Sequence, residues 1–160
     1  MFLSVENIDY KNIIGKSLTM SRIKDRTFEL WNSFLPNRNQ IKNSINTNFL
    51  SIQLYNAALD YHNYNPATNY TLWAGVEVTD ISTIPPGFES LTLKGGLYAV
   101  FLHKGLPSNF QQTMDYIYLD WLPQSKYTVD HQPHFEVLGD KYQNNLPDSE
   151  EEVWVPIKLK

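Results

Sequence analysis

The sequence predicts an α+β domain of two similar halves, each a strand, a helix and two further strands. Three observations carry that prediction. Residues 96–136, GLYAVFLHKGLPSNFQQTMDYIYLDWLPQSKYTVDHQPHFE, read as a strand, an amphipathic helix and a second strand. The segment ELWNSFLPN, starting at Glu29, aligns with YIYLDWLPQ, starting at Tyr116. Leu30, Trp31, Phe34, Leu35 and Pro36 then match Ile117, Tyr118, Trp121, Leu122 and Pro123. The strands beyond each helix match too, Ile52 and Gln53 with Phe135 and Glu136, and Leu72 and Trp73 with Val153 and Trp154. A repeat of this order predicts antiparallel sheets with both long helices on one side, leaving the other face as a cleft, an interface or a wet surface. The chain reads as one domain over residues 1–160, with pseudo-repeats at about 1–80 and 88–160 joined by IPPGFESLTLKGG.

Taken in order, residues 5–20 alternate loosely and read as a strand, with Gly15 at a bend. Asp25 is placed to cap a helix that carries Phe28, Trp31, Phe34 and Leu35, and Pro36 is expected to end it. NRNQIKNSINTN is polar and Asn-rich and reads as a loop. Residues 49–55 and Tyr70–Val78 read as strands around the turn region YHNYNPATNY. In the second half, residues 97–103 are an apolar run of strand length. Ser108 and Gln111 have capping-box spacing, and Phe110, Met114, Ile117 and Trp121 form one apolar helix face. Pro123 is expected to stop that helix near Leu122. Residues 133–138 alternate as a strand, KYQNNLPDSEEE reads as a loop, and residues 153–157 form the last strand.

Composition narrows the function classes. The net charge of −4 and the lack of a Lys/Arg stripe argue against direct DNA or RNA binding. The chain has no cysteine, which excludes disulfides, Cys-ligated zinc and thiol nucleophiles and favours an intracellular setting. No signal peptide and no stretch of membrane-spanning length is found, so a soluble cytoplasmic protein without a membrane contact is expected. Aromatic residues make up 14% of the chain, enough for either a core or a stacking pocket. No Gly-x-Ser-x-Gly elbow, Walker loop or dinucleotide fingerprint occurs, so no catalytic residue and no cofactor is assigned.

Strand parity distributes the side chains. Leu72, Ala74, Val76 and Val78 form an apolar row toward the helices and leave Trp73, Gly75 and Glu77 opposite. Val153, Val155 and Ile157 leave Trp154 and Lys158 opposite. Ile52 and Leu54 leave Ser51, Gln53 and Tyr55, and Phe135 leaves His134 and Glu136. The expected site on the face away from the helices is therefore Glu136, Trp73, Trp154, Tyr55, Glu77, His134 and Gln53. Aromatic walls around a few polar groups suit a small molecule, and a carboxylate among aromatic rings suits a cation. Each residue also has a plainer reading: Glu136 as a solvated strand residue, the two Trp as an interface, Glu77 and Lys158 as a surface pair, Tyr55 as filler. His131 and His134 flank Pro133 and, in a strand, point to opposite faces, so no metal site is expected.

GLYAVFLHKG, the helix ending YLDWLPQSKY, then HFEV and a final strand VWVPIK, taken in that order, resemble the GyrI-like small-molecule-binding domain. This is the effector-binding domain also attached to AraC-type and MerR-type multidrug regulators. The first half, including WAGVEV, is similar more loosely. The resemblance implies two pseudo-symmetric strand-helix-strand-strand units with a ligand cleft between them. It also implies an acidic residue at the HFE position, here Glu136, that meets cationic or polar aromatic ligands. Because the binding domain accounts for the whole chain, a stand-alone member is implied, one that binds or sequesters a cationic or aromatic compound. Two alternatives stay open: a hydrolase of strained, cyclopropane-containing natural products, with Glu136 or Glu77 directing water, and a gyrase-inhibitor-like module with a protein partner.

Overall fold

The structure, a computed structural model, describes residues 1–160. One antiparallel sheet dominates it. The strands are β1 (Phe2–Ile8), β2 (Lys11–Met20), β3 (Phe49–Leu54), β4 (Tyr70–Val78), β5 (Glu89–Leu93), β6 (Gly96–Lys104), β7 (Tyr127–Val129), β8 (His134–Leu138) and β9 (Glu150–Leu159). Their order across the sheet is β1-β6-β9-β8-β3-β4-β2-β5, with β7 added beside β9. The α+β class and the two-half organisation are thus as the sequence predicts. β3 pairs with β8 at the centre, and the pair Ile52–Phe135 marks the pseudo-two-fold position. No helix is long and apolar enough to cross a membrane.

Helix α1 (Thr27–Phe34) follows β2, and Asp25 opens it by accepting from the Thr27 N–H at 2.8 Å. Leu30 and Phe34 bury against Ile14, Leu72, Ala74, Val76 and Val78. In the second half a 3-10 turn (Pro107–Asn109) leads into α2 (Phe110–Asp115), then a π-helical stretch (Tyr116–Trp121) and a last turn (Leu122–Gln124). Ile117, Tyr118 and Leu122 pack on Ala99, Phe101, Val153, Val155 and Ile157.

Several local expectations are corrected. The Ser108 capping box does not form, because the chain enters through the 3-10 turn and no side chain caps α2. Pro36 ends α1 as expected: the α-helical run stops at Phe34 and passes into a 3-10 turn (Leu35–Gln40). Pro123 does not stop the second helix near Leu122; the run continues through it to Gln124. Residues 5–20 are two strands rather than one. β5 lies in the segment that reads as the joint between the halves, β7 lies in residues given no element by the sequence, and β9 begins at Glu150, inside the segment read as an acidic loop. Gly15 is not a bend. It sits in β2 opposite Gly75, and a Cβ there would run into the Ala74 carbonyl.

The rows across the sheet show which face is which. Ala74, Ser51, Glu136 and Val153 are successive partners across β4, β3, β8 and β9, so they share one face, that of the helices. Trp73, Ile52, Phe135 and Trp154 form the neighbouring row and share the other. That second face is not open. β1 joins β2 through residues 9–10, and β5 joins β6 through residues 94–95, although both links connect opposite ends of the sheet. Two residues span no more than roughly 10 Å, so the ends must curl toward each other. The two links cross at Gly95 (φ +87), where a Cβ would meet the Asp9 backbone at 2.8 Å. Inside the curl, Ile13, Leu93 and Tyr98 close over Ile52, Trp73 and Phe135 as an apolar core with no helix in it.

Candidate functional site

The expected cleft on the face away from the helices is filled by that core; the cavity lies instead on the helix side. Each helix covers the outer strands of its own half, and the centre between them is uncovered. There the central strands turn their polar residues up: Ser51 and Gln53 from β3, His134 and Glu136 from β8. The parity assignment fails at these two strands because both faces of the sheet bury apolar side chains. Ile52 and Phe135 go to the core inside the curl, not to the helices.

Two chambers open over this floor. The larger, about 780 Å³, is walled on the α1 side by Phe28, Trp31 and Leu35 and on the other by Phe110, with Glu136 and Glu151 on its floor. The smaller, about 280 Å³, is lined by Tyr55, Tyr61, Tyr70, Tyr118, Met114 and His134, with Arg22 among its bordering residues. Both chambers share Gln53, Glu136, Tyr70 and Phe110, so they meet at the carboxylate. The loop between β3 and β4 bounds the smaller chamber with Leu59 and Tyr61, and the Tyr61 hydroxyl donates to Asp115 at 2.6 Å.

Glu136 is partly buried and its one side-chain partner is Gln53, whose Nε2 donates to Oε2 at 2.7 Å. Burial pushes its carboxyl pKa up to about 8; the nearby Glu151 pushes the same way and the Gln53 hydrogen bond opposes it. Burial also raises Glu151 to about 7. No Lys or Arg borders the larger chamber, and the three ion pairs of the protein, Lys11–Glu77, Arg26–Glu29 and Lys141–Glu150, leave Glu136 and Glu151 unpaired. Arg22 lies over the Tyr64 ring, 4.4 Å from its centroid. His134 is buried, its Nδ1 lies 3.4 Å from the Tyr118 hydroxyl, and burial lowers its pKa to about 3, so the ring is neutral. Tyr55 stands edge-on to His134 and to Tyr64, and burial raises its phenol pKa.

Of the seven residues expected at the site, Glu136, Gln53, Tyr55 and His134 come together. Trp154 borders the smaller chamber, but its ring stacks on Phe135 at 5.2 Å in the core of the other face. Trp73 and Glu77 do not reach the cavity. Trp73 is buried in the same core, and Glu77 pairs with Lys11 at 3.2 Å. His131 turns away and bonds the Tyr55 carbonyl through Nε2 at 3.0 Å. Glu151, Tyr70, Tyr61, Tyr118 and Phe110 are site residues that the sequence reading missed. Glu151 shares the parity of Val153 and Val155, a signal hidden by reading its segment as a loop. Trp73→Phe is expected to lower thermal stability while leaving ligand affinity within about two-fold, because the change lies across the sheet; titration of the variant checks this.

A model of the GyrI-like small molecule binding domain matches residues 1–158. A comparison with curated proteins finds no match. Among solved structures, SAV2435 bound to tetraphenylphosphonium is 18% identical, with 99% of this chain and 94% of that one covered and a TM-score of 0.72. A putative bacterial transcription regulation protein from Staphylococcus aureus MU50 is 18% identical, with 99% and 98% covered and a TM-score of 0.71. A hydrolase from Listeria innocua is 8% identical, with 97% and 91% covered and a TM-score of 0.61. At these identities the likeness is one of fold.

Proposed function

The chain belongs to the GyrI-like small molecule binding domain family, and we propose that it captures lipophilic aromatic cations, to sense or sequester them, in the cleft between its helices. One observation carries the reading: Glu136, a carboxyl group with no basic partner, lies on the floor of an aromatic-walled cavity. Desolvating such a group is costly unless something compensates it, and a cation compensates it directly. The bulk of the ligand fits the larger chamber, whose volume lies within the range of about 300–1,000 Å³ for drug-sized ligands. The tetraphenylphosphonium bound to SAV2435 is a ligand of this chemical type.

Trp31 at the larger chamber makes binding visible in fluorescence. Tetraphenylphosphonium is expected to quench it saturably, and neutral triphenylphosphine oxide to bind at least roughly ten-fold more weakly. Equal affinity for the two would sink the reading. A second reading draws on the same carboxyl. Protonated up to about pH 8, Glu136 can deliver a proton to a strained ring as water attacks, which is hydrolysis. Mass spectrometry of the ligand after incubation separates the two, since a binding protein returns it unchanged.

A further inference from the structure

We propose that the smaller chamber is a separate subsite for a flat ligand arm carrying one hydrogen-bonding heteroatom, anchored by Nε2 of His134. This rests on the cation reading of the cleft. The positive centre lies over Glu136 where the chambers meet, the bulky body fills the larger chamber, and one arm enters the smaller.

His134 is only 6% exposed, yet it lines this chamber. Its Nδ1 faces the Tyr118 hydroxyl, while Nε2 has no partner in the protein. Nε2 is not among the buried unpartnered atoms, so it keeps accessible surface, and a ligand that covered it without a hydrogen bond would leave it unpaired at a cost in free energy. The neutral ring presents Nε2 as donor or acceptor, depending on what Tyr118 takes at Nδ1. A ligand hydroxyl both donates and accepts, so it satisfies either tautomer.

The walls select for flatness. Tyr61 stacks on Tyr118 with ring centroids 4.7 Å apart and planes 8° apart, and Asp115 holds the Tyr61 hydroxyl. Tyr55 stands edge-on to His134 at 5.1 Å. At about 280 Å³ the chamber has room for a substituted aromatic ring.

The test titrates the full chain calorimetrically at pH 8 with two phosphonium salts. One is (meta-hydroxybenzyl)triphenylphosphonium. The other is (meta-methylbenzyl)triphenylphosphonium, whose arm has the same size and cannot hydrogen-bond. The hydroxyl compound is expected to bind wild type roughly five- to ten-fold more tightly. In His134→Phe the two compounds are expected to bind equally, and the circular dichroism spectrum and melting transition of the variant certify its fold. Equal affinities in wild type overturn the proposal even if His134→Phe does not fold. So does a hydroxyl preference that survives in a folded His134→Phe. Tight binding of both compounds without preference leaves the cation reading standing and removes only the subsite; absence of binding by either removes both.

Discussion

Glu136→Gln lowers the affinity for a lipophilic cation by ten-fold or more at pH 8.5, and leaves a neutral ligand of similar shape nearly unaffected. The substitution keeps the size of the side chain and an oxygen that can accept from Gln53 Nε2, now 2.7 Å from the carboxylate. Only the charge is lost. A hydrogen bond or contact to a charged group contributes about 1.5–3 kcal/mol, which is roughly ten- to a hundred-fold in affinity. The pH matters, because the carboxyl titrates near 8 and a cation meets a full negative charge only above that value. Folding is expected to be unharmed, since Gln resembles the protonated acid that the empty cleft favours. Gln53→Glu, the matching change in the first half, is not expected to restore binding in the Glu136→Gln background. Gln53 borders both chambers next to Glu136, so restoration by this change would show that either strand can carry the charge. The measurement is a titration of tetraphenylphosphonium and triphenylphosphine oxide against wild type and both variants. Equal losses for the two ligands, or none for the cation, would take Glu136 out of the site.

The internal repeat made much of the fold legible. A helix ending in Leu-Pro and its two following strands recur in both halves, and the structure places them about a two-fold position at Ile52 and Phe135. Parity was also right wherever a helix covers the strand: Leu72, Ala74, Val76 in β4 and Val153, Val155, Ile157 in β9 all face helices. It misled at β3 and β8 for a physical reason. Alternation says which residues share a face, not which face meets a helix. The assignment of apolar to the helix side holds only where one face is buried, and here the curl of the sheet buries both. What decides the curl is the shortness of the links at residues 9–10 and 94–95, which bring opposite sheet ends together. That information is long-range and appears only once β1 and β5 are known to be edge strands. Glu136 and Gln53 were therefore found as a pair, with the wrong walls around them. Trp73 and Trp154 were found as a matched pair, in a core rather than a pocket. Of the tyrosines of the smaller chamber, Tyr55 and Tyr61 come from the loop between β3 and β4, Tyr70 from β4 and Tyr118 from the π-helical stretch, and no periodicity in the sequence ties those segments together.

Between pH 8.5 and pH 6.5 the affinity for a phosphonium is expected to fall roughly twenty-fold, because a proton and the ligand compete for one carboxylate whose pKa is about 8. The phosphonium charge is fixed, so the change belongs to the protein. Stability of the empty protein should move the opposite way. An exposed carboxyl titrates near 4.5, and Glu136 in the fold titrates near 8, so between those values the folded protein holds a proton that the unfolded chain releases. The stabilisation is full below the lower value and is lost as pH rises through the upper one. Glu151, raised to about 7, contributes in the same direction. His134 acts oppositely: burial lowers it from 6.5 to about 3, so its contribution is complete above pH 6.5 and is lost as pH falls below. In the window from pH 6.5 to 8.5 the two carboxyls lower stability as pH rises, while the Met1 amine, whose pKa burial lowers from 8.0, works against them. Across it, the thermal midpoint of the empty protein is expected to fall while phosphonium affinity climbs, and Glu136→Gln should flatten most of both trends. Glu151→Gln removes the neighbouring like charge, which lowers the Glu136 pKa and moves the affinity curve toward acid. Melting curves and titrations at half-unit intervals measure all of this. An affinity independent of pH in wild type, or a pH dependence untouched by Glu136→Gln, would show that the cation is not held by this carboxylate.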